Sequence, residues 1–260
     1  MIDIIGYIKI DESKPERLQY LMMALYSYRF MRDDCKVILS LDSPADWLYK
    51  TVSCEILPAT GLDYELVQYE PDMSYGENYL RLLKRGRPWA PVLHFHEDHF
   101  CVLDDAVTMK NMILSMKDMN IQVCRASFWP IECKSVAMLY GKMEGINLCW
   151  TNNKQNHERF SSAYPEGRFY IGTNNIMQLQ FAKRFWDRPI DSKRPHEYEI
   201  KEFDEAFIHN CMVPAFEITA SIDDDHGEPG SCLLKRDVEK FWTTWKLCNQ
   251  DIHKRLFPNQ

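Results

Sequence analysis

Seven consecutive residues, His94-Phe95-His96-Glu97-Asp98-His99-Phe100, carry five ionisable side chains directly behind an apolar run, Ala90-Pro91-Val92-Leu93. That order fits a buried strand delivering a cluster of metal ligands to its C-terminal edge. Two chemistries compete for it. Led by the carboxylates Glu97 and Asp98, the cluster suits Mg²⁺ or Mn²⁺, hard cations that take oxygen ligands. Led by the histidines, the same residues read H-x-H-x-D-H over 94–99, a donor set for zinc, with further ligands available at His157, His196, His209 or His226.

Composition narrows the field. The chain has 260 residues, 45% of them apolar and 13% aromatic, enough for one full-sized domain with a large core. A formal net charge of −7 excludes a general nucleic-acid binder, which needs a basic footprint. Nine cysteines form no C-x-x-C pair, so neither a zinc ribbon nor a disulfide framework is expected. No stretch has the length and apolarity of a membrane span, and a reducing, cytoplasmic setting is expected.

The elements that must position the cluster begin as β-α-β. Ile2–Ile10 is a near-continuous buried strand. Ser13-Lys14-Pro15-Glu16 has the spacing of a helix start, and Leu18, Leu21, Met22, Leu25 and Tyr28 follow at helical intervals. Lys36–Leu41 is the next strand, ending at Asp42, so a parallel sheet is expected. Glu65–Tyr69 reads as a strand, Tyr75-Gly76-Glu77-Asn78 as a turn into a helix over Tyr79–Lys84, and Val92–Phe95 as the strand before the cluster. Asp104 and Asp105 open a helix with a methionine face, and Ile121–Ala126 follows as a strand. Residues 128–165 read as irregular. Then come a strand over Arg168–Ile171, a helix from Asn174 or Asn175 to Trp186, an acidic helix over Glu197–Cys211 and a strand over Pro214–Ile222. A turn-rich loop, 223–230, precedes a C-terminal helix with Val238, Phe241, Trp242, Trp245, Cys248 and Ile252 on one face. Arg81, Lys84, Arg85 and Arg87 read as a solvated face, with phosphate contact as the second choice. Trp129, Trp150 and Tyr164 suit either core packing or stacking on a sugar ring.

In order and context, most of the chain resembles the GT-A glycosyltransferases, in particular family 2-like members. The resemblance rests on Asp42 at the end of the second strand, the Tyr75–Asn78 turn, and Glu97-Asp98-His99 as a variant of the D-x-D motif. It implies an α/β fold: a single GT-A-like, Rossmann-related domain over 1–260, with a mostly parallel central sheet flanked by helices. Residues 1–100 would be the nucleotide-binding half, and 101–260 the acceptor-binding half with the C-terminal helix. It also implies a nucleotide-sugar donor, a glycan or other hydroxyl acceptor, Mn²⁺ or Mg²⁺, and transfer with inversion. Asp42, Lys9, Asp11, Tyr75, Asn78 and Glu97 would line the nucleotide site, and Asp98, His99 and His226 would hold the metal. Aligned on Asp98 the motif starts at His96; aligned one residue on, it is Glu97-x-His99, and both registers stay open. His94 and His96 then read as strand residues. The acceptor's general base would be a carboxylate late in the domain, and Glu202 and Glu199 rank ahead of Glu205 and Asp204.

Two other readings remain. A zinc hydrolase of metallo-β-lactamase type accounts for H-x-H-x-D-H, although that fold opens with successive strands and not with β-α-β. A GT-A-like domain that binds nucleotide or glycan without turnover accounts for the irregular motif.

Overall fold

The isoleucine-rich N-terminus is buried on both faces, which makes it an inner strand. β1 (Ile2–Lys9) pairs in parallel with β2 (Cys35–Asp42) on one side and with β4 (Val92–Phe95) on the other, and β3 (Asp63–Gln68) extends the parallel edge beyond β2. The computed structural model describes residues 1–10, 16–42, 45–126, 142–144, 147–153, 155–156, 158, 175–190, 209–214 and 218–221, with isolated helical positions between 243 and 254.

Past β4 the sheet continues through β9 (Asn175–Met177), β6 (Val123–Arg125), β10 (His209–Val213), β8 (Asn147–Asn152) and β7 (Lys142–Glu144). The pairings make β9 and β8 run against the other seven strands, so the nine-stranded sheet is mixed but mostly unidirectional. A separate antiparallel ribbon joins β5 (His99–Cys101) to β11 (Thr219–Ser221).

Alternation along the strands sends side chains to two cores. Ile4, Ile8, Val37, Leu39, Leu93 and Phe95 pack on one face beneath α1 (Glu16–Ser27), α2 (Asp46–Thr51), α3 (Leu57–Thr60) and α5 (Ala106–Asp118). Ile5, Ile38, Val92, Val123 and Met177 pack on the other beneath α4 (Tyr75–Leu83) and α6 (Leu179–Trp186). The architecture is therefore an α/β sheet with helices on both faces. At its centre Gly6 lets β1 and β4 approach: a Cβ there would lie 2.6 Å from the Phe95 carbonyl oxygen. Among the described residues no helix is long and apolar enough to cross a membrane.

Several local expectations need correction. Tyr75–Asn78 is not a turn but the first turn of α4. Ser74 caps it in a reciprocal capping box with Glu77, which satisfies amides that would otherwise have no partner. Residues 46–60, for which no element was expected, are helical throughout, with a π-helical turn at Val52–Ile56 between α2 and α3; Leu48, Val52 and Ile56, four apart, are buried beneath it. Asn175 stands in β9, and α6 starts only at Leu179, because residues 175–177 are held between β4 and β6. His209–Cys211 belongs to β10 and not to the end of a helix. Residues 128–165, expected to be irregular, contribute the β7–β8 hairpin at the sheet edge. Trp150 is buried in the second core. The expected strand at 168–171, the acidic helix over 197–208, the 223–230 loop, Trp129, Tyr164 and the apolar face of the C-terminal helix lie outside the described residues.

Candidate functional site at the C-terminal sheet edge

In an open sheet with parallel strands, ligands bind in the crevice outside the carboxyl ends of the strands. Here β1 and β2 finish level, Lys9 opposite Asp42, whereas β4 ends at Phe95, opposite Gly6. β4 therefore stops short, and the turn that follows it, His96-Glu97-Asp98, sits at a step in the sheet edge. One ligand atom from each of these three residues lies within 4.8 Å of the others.

Their environments differ in ways that matter. Glu97 is 4% exposed, and its carboxylate forms an ion pair with the Arg17 guanidinium from the first turn of α1. Burial, reinforced by Asp98, raises the Glu97 carboxyl above its ordinary value, and Arg17 opposes that rise. Asp98 is part-exposed. His96 has a buried Nε2 with no hydrogen-bond partner among the described residues, and burial, with help from His99, pushes the ring down to about 4. It is therefore neutral at pH 7, with a lone pair available. Two carboxylates and one neutral imidazole form a donor set that fits Mn²⁺, and fits Mg²⁺ where oxygen ligands lead. His96, Glu97 and Asp98 would hold such an ion.

The other two histidines are placed differently. His94 points from β4 into the second core, 4.9 Å from the Tyr79 ring and 5.3 Å from Trp186, with its Nε2 3.4 Å from the Tyr75 hydroxyl. His99 is buried on β5 with Nε2 3.8 Å from an Asp98 oxygen, and burial, with His94 adding, lowers it to about 3. The three rings form a ladder with centroids 4.9 and 5.3 Å apart, but the converging ligand atoms are those of His96, Glu97 and Asp98. Neither this geometry nor the sheet is that of the zinc-hydrolase alternative; His209 lies on β10, packed on Phe181.

At the ends of β1 and β2, Asp42 accepts a 2.7 Å hydrogen bond from the Tyr7 hydroxyl. Burial and the Asp42 carboxylate push the Tyr7 phenol well above its usual range, so it stays a donor. Tyr69 lies against Tyr7 at 4.9 Å, and Tyr75 meets Tyr7 edge-on at 5.3 Å. Lys9 is exposed at the end of β1. Asn78 is buried: its amide donates to the carbonyls of Glu70 and Ser74, and its side-chain oxygen accepts from the Glu70 amide, so it clamps the β3–α4 connection. Asp11, Glu199, Glu202, Asp204, Glu205 and His226 lie outside the described residues. β11 ends at Ser221, paired with His99, shortly before His226 in sequence.

Sequence reasoning missed Arg17, Tyr7 and Tyr69. Tyr7 and Tyr69 read as ordinary strand aromatics, and nothing local ties Arg17 to a residue eighty positions away. Three members of the basic cluster form ion pairs: Arg81 with Glu70, Arg85 with Glu65, and Arg87 with the buried Asp3.

No protein-family model matches the chain, and neither does any curated protein. Solved structures do. S. aureus TarS 1-349 in complex with UDP aligns over 95% of this chain and 66% of its own, at 11% identity and a TM-score of 0.53. HddC from Yersinia pseudotuberculosis complexed with GMP-PN aligns over 95% of this chain and all of its own, at 16% identity and a TM-score of 0.50. Identities this low speak to architecture alone, and together with the sheet order they show that the chain has a GT-A-like fold.

Proposed function

We propose that the chain is a metal-dependent glycosyltransferase that takes a sugar from a nucleotide donor and delivers it to a hydroxyl acceptor. One arrangement carries the reading: the His96-Glu97-Asp98 cluster follows the carboxyl end of β4, and the Tyr7–Asp42 pair stands at the carboxyl ends of the parallel strands β1 and β2 beside it. The first provides a cation site for a diphosphate, and the second an acceptor and an aromatic wall for a base. A divalent cation bound there supplies charge stabilisation to the leaving diphosphate. Asp42 accepts a hydrogen bond from the base edge, and Tyr69 offers it a stacking face. Asp98, Glu97 and His96 hold the cation, with His99 behind Asp98 and His226 as a further ligand. Lys9 and Asp11 border the nucleotide. One carboxylate among Glu199, Glu202 and Glu205 removes the acceptor's proton, and transfer proceeds with inversion.

The segment Asp11–Arg17, which follows β1, contains no glycine. The sequence there lacks the pattern of a glycine-rich cradle of the kind that holds triphosphates, which leaves phosphate charge to side chains and cation. That supports a sugar-nucleotide diphosphate as the ligand.

A thermal-shift panel of UDP- and GDP-sugars with and without Mn²⁺ tests the proposal. The expected outcome is stabilisation by one donor only when Mn²⁺ is present, worth about 2.7 kcal/mol at a hundredfold excess over Kd. Tightly bound zinc with indifference to every nucleotide would overturn it. Donor binding with neither hydrolysis nor transfer would convert the proposal into a binding module.

A further inference from the structure

Arg17 and the cation site make incompatible demands on one carboxylate. Glu97 has 5% of its side chain exposed and is ion-paired to Arg17, whose own side chain is 36% exposed. A carboxylate this buried stays charged only beside a counter-ion, because an unpaired charge in the interior is strongly destabilising. A guanidinium does not lose its proton in a protein, so it cannot make room by becoming neutral. A divalent cation bound by Glu97 together with His96 and Asp98 would face Arg17 across the same carboxylate, and like charges at that range repel. That repulsion drives Arg17 off the carboxylate when the cation arrives. It has somewhere to go: it stands on the first turn of α1, at the carboxyl edge of the sheet, with over a third of its side chain in solvent. A planar fork of donors also matches phosphate oxygens.

We infer that Arg17 and a divalent cation are alternative counter-ions for Glu97, and that the displaced guanidinium becomes a ligand of the donor's diphosphate. The second half rests on the nucleotide-sugar reading; the exchange at Glu97 does not. Cation and diphosphate then bind cooperatively, since each relieves what the other disturbs, and the coupling is reciprocal. Asp98 and His96 Nε2, which has no partner among the described residues, give the incoming cation a first foothold before Glu97 is released.

Calorimetry on the full chain reads the exchange directly: Mn²⁺ alone, and Mn²⁺ with UDP or GDP, for the wild type and for Arg17→Gln. The wild type should bind Mn²⁺ weakly alone and at least tenfold more tightly with the diphosphate. Arg17→Gln should bind Mn²⁺ alone about tenfold more tightly than the wild type, and its coupling to the diphosphate should fall towards one. Unchanged or weaker Mn²⁺ binding in Arg17→Gln would overturn the exchange and leave Arg17 as a structural pair. Tighter Mn²⁺ binding without nucleotide binding by either protein upholds the exchange and overturns the donor reading. Because Arg17→Gln strands a buried carboxylate, melting with and without Mn²⁺ is the parallel measurement. The variant should melt below the wild type in EDTA and gain more from Mn²⁺. The double variant Arg17→Gln/Glu97→Gln should recover its melting temperature and lose that gain; a double variant that still gains as the wild type does also overturns the exchange.

Discussion

Four ionisable side chains in succession, His96 to His99, are each set by burial in a different way. Glu97 is pushed upward by burial and by Asp98, against the opposing pull of Arg17, while Asp98 remains part-exposed. His96 and His99 are held neutral because the interior disfavours an imidazolium. The consequence for stability has a definite sign. With folded values near 4 and 3 against about 6.5 unfolded, the unfolded chain binds more protons throughout that window. The histidine contribution is fully present above about 6.5 and is lost as the pH falls towards 4. Glu97 is shifted upward and works in the opposite direction. Urea titrations in EDTA at pH 7, 5.5 and 4.5 should show falling stability, and the variant His96→Gln/His99→Gln should show a clearly flatter decline. A wild type equally stable at pH 7 and 4.5 would contradict the burial of both rings.

At the scale of elements, the far end of the sheet is as specific as the site. Asp3, 1% exposed on β1, accepts hydrogen bonds from the Arg87 backbone amide at 2.6 Å and from its Nε at 2.7 Å, while Arg87 also donates to the Ile2 carbonyl. This network ties the α4–β4 connection to β1 and so sets where β4 begins. Its other end then carries the His96–Asp98 turn. Removing one partner of a buried pair leaves the other uncompensated, so Arg87→Ala should cost about 3–5 kcal/mol in chemical denaturation. Asp3→Ala combined with Arg87→Ala should recover a good part of that loss. If the single variant costs under about 1 kcal/mol, the pair is a surface bridge and not an anchor of β4.

For the molecule as a whole, the two cores are not separable, because adjacent residues of the same strands feed both: Ile4 one and Ile5 the other, Val37 one and Ile38 the other. Losing either core leaves one face of the shared sheet exposed. Tryptophan fluorescence, which samples Trp186 in the second core, and far-UV circular dichroism should therefore trace coincident urea transitions. Transitions separated by more than the fitting error would show that the layers unfold independently. The same layering is consistent with a site at an edge: among the described residues helices pack on both faces of the sheet, and the strand ends lie between them.

Much of this was legible in sequence, and the reason is local. β1, β2 and β4 are short apolar runs buried on both faces, α1 and α5 repeat their apolar residues at helical spacing, and Asp105 caps α5 by hydrogen bonds to the next residues but one and two. Such signals need no partner to be read, and the β-α-β order with Asp42 and Glu97-Asp98 at strand ends led to the GT-A-like fold. Other elements took their form from distant partners. Residues 175–177 are a strand because two neighbouring strands claim their backbone, and Trp150 is core because β10 lies beside it. The sequence determined that a cluster of ligands would emerge at a strand end. Tertiary structure decided that His96 and not His94 turns its ring towards Glu97 and Asp98, and that Arg17 stands on Glu97. Those contacts depend on where chain segments far apart in sequence meet, which no local spacing encodes.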